Sequence, residues 1–299
     1  MDTNPPKPDV SVRHITYTPM KAKKVRARPI LSQENIAKLI SLGIGKRQKI
    51  IIAALLLAIG LLLTHASVFL FTRTRMIIGL GVFAYVISLW ALWEGINKSK
   101  AIVLMILPVM FTIAVASFYF LLPIRWLTRL PEMLIFGFLF YSLLLAQNVF
   151  NVASIRTIPL YRAASTVSFL FTLITAFLLY NVVYAFQMSF YWNALVVAVV
   201  SFPLVLQMLW TIKMESISIQ IIIFSLVISL LVGEVALVFS FWPAVSIIWS
   251  LFLASFFYII LAIISDYLRE RLEQSNLIEY IGVGGVVIIA CLLVSFFSV

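Results

Sequence analysis

Glu234 is the only charged residue in the 48 positions from 217 to 264, a predominantly apolar stretch. A carboxyl in such surroundings is neutral, paired or wetted, because an isolated charge in hydrocarbon is costly. That singles it out as a group able to carry a proton or meet a cation. His65 and Asn181 fall at a similar depth in two other apolar runs, and a Glu–His pair can relay protons. The same carboxyl also suits a plainer role, as a protonated hydrogen-bond donor or as a group close enough to the surface to reach water.

A second set of polar residues lies toward the opposite end of the apolar runs. Gln147, Asn148 and Asn151 recur within little more than one helical turn, and Gln207 falls at the same depth in another run. Arg156, Arg162 and Lys213 lie just beyond them. Amides with cations at one depth can receive an anionic headgroup or a small anion. Amides also pair with each other between membrane helices, at about 0.6–2 kcal/mol each.

Arginines mark both surfaces. Arg125 and Arg129 sit one turn apart beside Trp126, in a short segment bounded by Pro123 and Pro131. With Arg156 and Arg162 they are candidates for lipid-headgroup contact, or for simple interfacial anchoring. The densest charge cluster, 266–273, holds Asp266, Arg269, Glu270, Arg271 and Glu273. Divalent-metal chemistry needs carboxylates converging on one site. Here each acid has an arginine nearby, so a solvated, self-paired helix is expected.

The elements that hold these residues are apolar runs of about 20 residues, each able to cross a hydrocarbon layer roughly 30 Å thick. Nine are expected: 50–71, 76–96, 101–122, 133–153, 163–186, 192–212, 217–239, 243–264 and 278–298. The 217–264 stretch is divided at Ser240–Pro243, since a single 48-residue helix would run about 72 Å. The fold class expected is an all-α polytopic membrane bundle. Ser225, Ser229 and Gly233 recur every four residues in the seventh run, and Ser246, Ser250 and Ala254 in the eighth. Small residues at that spacing let backbones approach, so these two runs are expected to pack as a close hairpin.

Ahead of the bundle, residues 1–31 hold five prolines among Lys, Thr and Arg, and are expected to be disordered. Residues 32–49 read as an amphipathic juxtamembrane helix, with Ser32 as cap and Ile36, Leu39, Ile40 and Ile44 on one face. The first 49 residues carry eleven Lys/Arg against three acids, a net +8. The pI of about 9.9 therefore reflects the tail. It points to anionic lipid, and to a possible protein partner for the tail, rather than to nucleic acid. No cleavage site follows the first run, which reads as a retained span. Placing the tail inside puts 18 Lys/Arg on the inner side and four on the outer, so a cytosolic N-terminus and an external C-terminus in the plasma membrane are expected.

The chain is 63% hydrophobic and 11% charged, against about 25% charged in soluble domains. It has one cysteine, Cys291, two histidines and no Cys/His metal spacing, so neither a metal nor another cofactor is expected. No HExxH, GxSxG or Walker A pattern occurs. Two functional readings stand level. One is a small-solute or lipid-linked transporter using Glu234 and the amides; the other is a non-catalytic membrane scaffold or complex subunit. A membrane-embedded enzyme is third, because no clustered acids or nucleophile support it.

Overall fold

Apolar runs and polar breaks become helices and turns. Among the described residues of the computed structural model there are nine helices and no strand. They are α1 (Lys46–Leu63), α2 (Arg73–Leu92), α3 (Lys98–Tyr119), α4 (Trp126–Ala153), α5 (Tyr161–Ala185), α6 (Phe190–Lys213), α7 (Ile219–Phe239), α8 (Ser246–Leu268) and α9 (Gln274–Phe297). The structure describes residues 45–64, 73–93, 98–121, 126–153, 160–214, 218–242, 244–270 and 273–297. All lie in one compact unit, 44–299. The tail, the juxtamembrane segment up to residue 44, and His65, Arg125 and Arg156 lie outside the described residues.

Helices α2 to α9 are each long and apolar enough to cross a membrane, and the chain is an integral membrane protein. α1 falls short for a compositional reason. Lys46, Arg47 and Lys49 fill its first turn, leaving only Ile50 to Leu63, about 21 Å of apolar helix. The rest of its expected span, 65–71, is outside the described residues. Gly45 is extended at the start of α1, and its N–H donates to the Gln48 side chain at 3.0 Å.

Some helices extend beyond the apolar runs that betray them. α4 begins at Trp126 and continues through Pro131, so the segment between Pro123 and Pro131 is helical from Trp126 onward rather than an independent surface stretch. Pro131, the sixth residue of the helix, removes the one backbone bond its N–H would make to the carbonyl a turn earlier. α8 runs on to Leu268, and α9 starts at Gln274.

Packing centres on α5, which contacts α3, α4, α6 and α8. Its buried face carries Ser165, Ser168, Thr172, Thr175 and Asn181 among apolar residues. The Thr172 and Thr175 hydroxyls donate to carbonyls one turn back, at 2.8 and 2.6 Å. Such side chains satisfy themselves and still leave a small surface for a neighbour.

The expected hairpin of the seventh and eighth runs does not form as the main contact. α7 packs most extensively against α6, and only modestly against α8. A β-carbon added at Gly233 would lie 2.9 Å from Ala198 Cβ and 3.0 Å from the Ala194 carbonyl oxygen, both on α6. Ser250 instead faces α5, where it accepts from the Asn181 amide at 3.3 Å. The two small-residue stripes are real, but each serves a different partner.

Candidate functional site

The amide cluster forms between α4 and α6. Gln147 and Gln207 are both fully buried, and Gln207 Nε2 donates to Gln147 Oε1 at 3.3 Å. Asn151, one turn further along α4, is buried and donates to the Leu92 carbonyl at the end of α2 at 3.4 Å. Asn148 is half-buried on the adjoining face. The pair leaves Gln147 Nε2 and Gln207 Oε1 buried without partners. One donor and one acceptor are thus spare where these two side chains reach across between α4 and α6, helices that do not pack closely on each other.

This arrangement makes a prediction. Gln147→Leu strands the Gln207 amide in an apolar contact and should destabilise by about 1–3 kcal/mol. Adding Gln207→Leu removes the stranded group, so the double variant should recover much of that loss. A double-mutant cycle in detergent, read by thermal unfolding, checks it. Strictly additive losses would mean that the two amides do not act as a pair.

Glu234 and Asn181 are not brought together. Asn181 is buried and committed to Ser250. His65 is outside the described residues. Glu234 is exposed, on the face of α7 turned away from the bundle. The opposite face is the packed one, formed by Ser225, Ile228, Ser229, Val232, Gly233 and Ala236. Glu234 lies between Leu230 and Val238, one turn away on either side, which are 51% and 64% exposed. Among the described residues the carboxyl therefore interrupts an apolar outer surface.

Its depth can be set from helix geometry. α7 has 21 residues, about 31 Å, close to the hydrocarbon thickness. Glu234 lies five residues before Phe239, about 7.5 Å inside that end. Helical side chains lean toward the N-terminus, so this one leans away from the nearer interface.

At the other end of the bundle the cluster around Asp266 is not self-paired among the described residues. Asp266 Oδ2 accepts from the Tyr280 hydroxyl at 2.5 Å and from the Asn276 amide at 3.4 Å, both on α9. Arg269 Nη2 donates to Ser165 on α5 at 2.6 Å. An Asp–Arg pair one turn apart is open to solvent on a lone helix. Here α5 and α9 pack on either side of α8 and take the two groups separately. These bonds join helices rather than build a reaction centre.

Of the arginines expected at headgroups, Arg162 is exposed in the first turn of α5, and Arg129 is half-buried in α4. Two groups escape the sequence reading. One Glu132 carboxylate oxygen is buried without a partner near the start of α4. The fully buried Tyr180 hydroxyl donates to Ser201, which in turn donates to the Val197 carbonyl. Glu132 directly precedes the expected start of the fourth run, and tyrosine counts as apolar in a hydropathy pattern, so neither gave a signal. Among the described residues, no three His, Cys, Asp or Glu side chains converge to hold a metal ion.

A family model described as "Protein of unknown function (DUF5656)" matches residues 50–294, and the chain belongs to that family. No curated protein and no solved structure matches it.

Proposed function

We propose that this member of the family is a non-catalytic subunit of a membrane complex, and that the outward face of α7 receives a transmembrane helix of another protein. One observation carries the reading: Glu234 is exposed on an apolar, membrane-facing surface. Intramembrane carboxyls normally face a bundle interior or a wet cavity and pair with another group. Among the described residues this one has neither. The partner chemistry that fits is a helix carrying a lysine or arginine at the same depth.

The test is affinity purification from native membranes in mild detergent. Glu234→Gln keeps a neutral hydrogen bond, roughly half as strong, and should lower partner recovery. Glu234→Leu should abolish it. Equal recovery from all three forms would remove the reading.

The transporter reading retains one support, the spare amide donor and acceptor of Gln147 and Gln207. Those atoms are fully buried, with no described opening to either surface as support, so it ranks second. For topology, we propose a cytosolic N-terminal tail and an external C-terminus in the plasma membrane, from the 18-to-4 distribution of Lys and Arg. A reporter fused at Val299 should be active only on the outer side; cytosolic activity would reverse the topology or remove a span.

A further inference from the structure

We propose that a cleft between the start of α2 and the ends of α3 and α5 binds an anionic phospholipid of the surrounding leaflet. The cleft measures about 840 Å³. That is within the 300–1,000 Å³ typical of small-molecule sites. Arg73 and Thr74 form part of its rim, with Phe120, just past the end of α3, opposite. One turn deeper the walls are Ile77, Val182 and Ser117.

Three features select the ligand. The one charged group among the described lining residues is Arg73, which is exposed, and no described acid lines the cleft. An arginine at a helix end meets a phosphate with bidentate, charge-assisted bonds. Below that level the walls are largely apolar, which suits an acyl chain and offers a soluble phosphate little. Finally, the cleft opens where three membrane-crossing helices begin or end, the level at which headgroups lie. A zwitterionic lipid would fit the same walls, but its own cation would oppose Arg73. The site lies on other helices than Glu234 and stands independently of the docking surface there.

Native mass spectrometry of the full delipidated chain, with added phosphatidylglycerol or phosphatidylcholine, tests this. Phosphatidylglycerol should bind at least about tenfold more tightly, the scale of one charge-assisted bond. Arg73→Gln should erase that preference, weakening phosphatidylglycerol more than phosphatidylcholine. Arg75→Gln, which alters a neighbouring cation outside the cleft, should change nothing. Ala185→Trp, at an exposed position lining the cleft, should fill it and weaken both lipids. The proposal fails if Arg73→Gln binds like the unmodified chain, if the two lipids bind equally, or if Ala185→Trp has no effect. It fails equally if glycerol phosphate displaces phosphatidylglycerol at matched concentration, since the site would then read a soluble anion.

Discussion

Gly233→Val should separate α6 from α7 and cost several times more stability than a glycine change on an open face of the bundle. Even alanine there places a β-carbon 2.9 Å from Ala198 Cβ and 3.0 Å from the Ala194 carbonyl. One of those atoms is backbone, so no rotamer change on α6 relieves the clash. Overpacking of this kind costs about 1–3 kcal/mol, and valine adds two further methyls to the same gap. Because α6–α7 is the most extensive helix contact described, opening it also strips apolar contacts along both helices. Gly285→Ala is the control, since a β-carbon there meets nothing within 4 Å, and it should be neutral or slightly stabilising. Thermal unfolding in detergent should lose several degrees for Gly233→Ala and more for Gly233→Val. An unchanged midpoint for Gly233→Val would contradict the packing of α7 on α6.

Glu234→Leu should separate stability from assembly. Were this carboxyl inside the bundle, leucine would strand a buried partner and destabilise the fold. On the outward face, between Leu230 and Val238, leucine extends an apolar surface. The isolated protein should therefore unfold at the same temperature or slightly higher. In native membranes the same change should abolish association with the partner helix, with Glu234→Gln intermediate. Loss of stability in the isolated protein would place the carboxyl in an internal contact. Retained association would leave the outer face of α7 as ordinary lipid-facing surface.

Much of the fold was legible because apolar run length reports directly on membrane crossing. The break between α7 and α8 followed from length alone, since 48 residues cannot form one span. Helix ends were less legible. Hydropathy senses only the part in hydrocarbon, whereas α4 and α9 carry their first turns through polar residues such as Arg129 and Asn276. Helix orientation was the least legible. A soluble helix shows its buried side by polarity, but α7 is apolar on its packed face and its outer face alike. The sequence could therefore place Glu234 at a depth but not on a side. For the same reason the Ser225–Ser229–Gly233 stripe announced a close contact without naming α6 as its partner. The amide cluster was easier, because Gln147 and Gln207 are costly in hydrocarbon unless they meet each other or something equivalent.

Site-specific photo-crosslinking in native membranes tests the docking surface most directly. A diazirine side chain at Leu230 or Val238 lies on the exposed face beside Glu234, and one at Ile289 of α9 serves as a lipid-facing control. The two α7 positions should yield an adduct with one other membrane protein whose crosslinked helix carries a lysine or arginine. That adduct should disappear in Glu234→Leu, and Ile289 should give lipid adducts alone. Lipid adducts alone at α7, a protein adduct indifferent to Glu234→Leu, or an adduct joining two copies of this chain would contradict it.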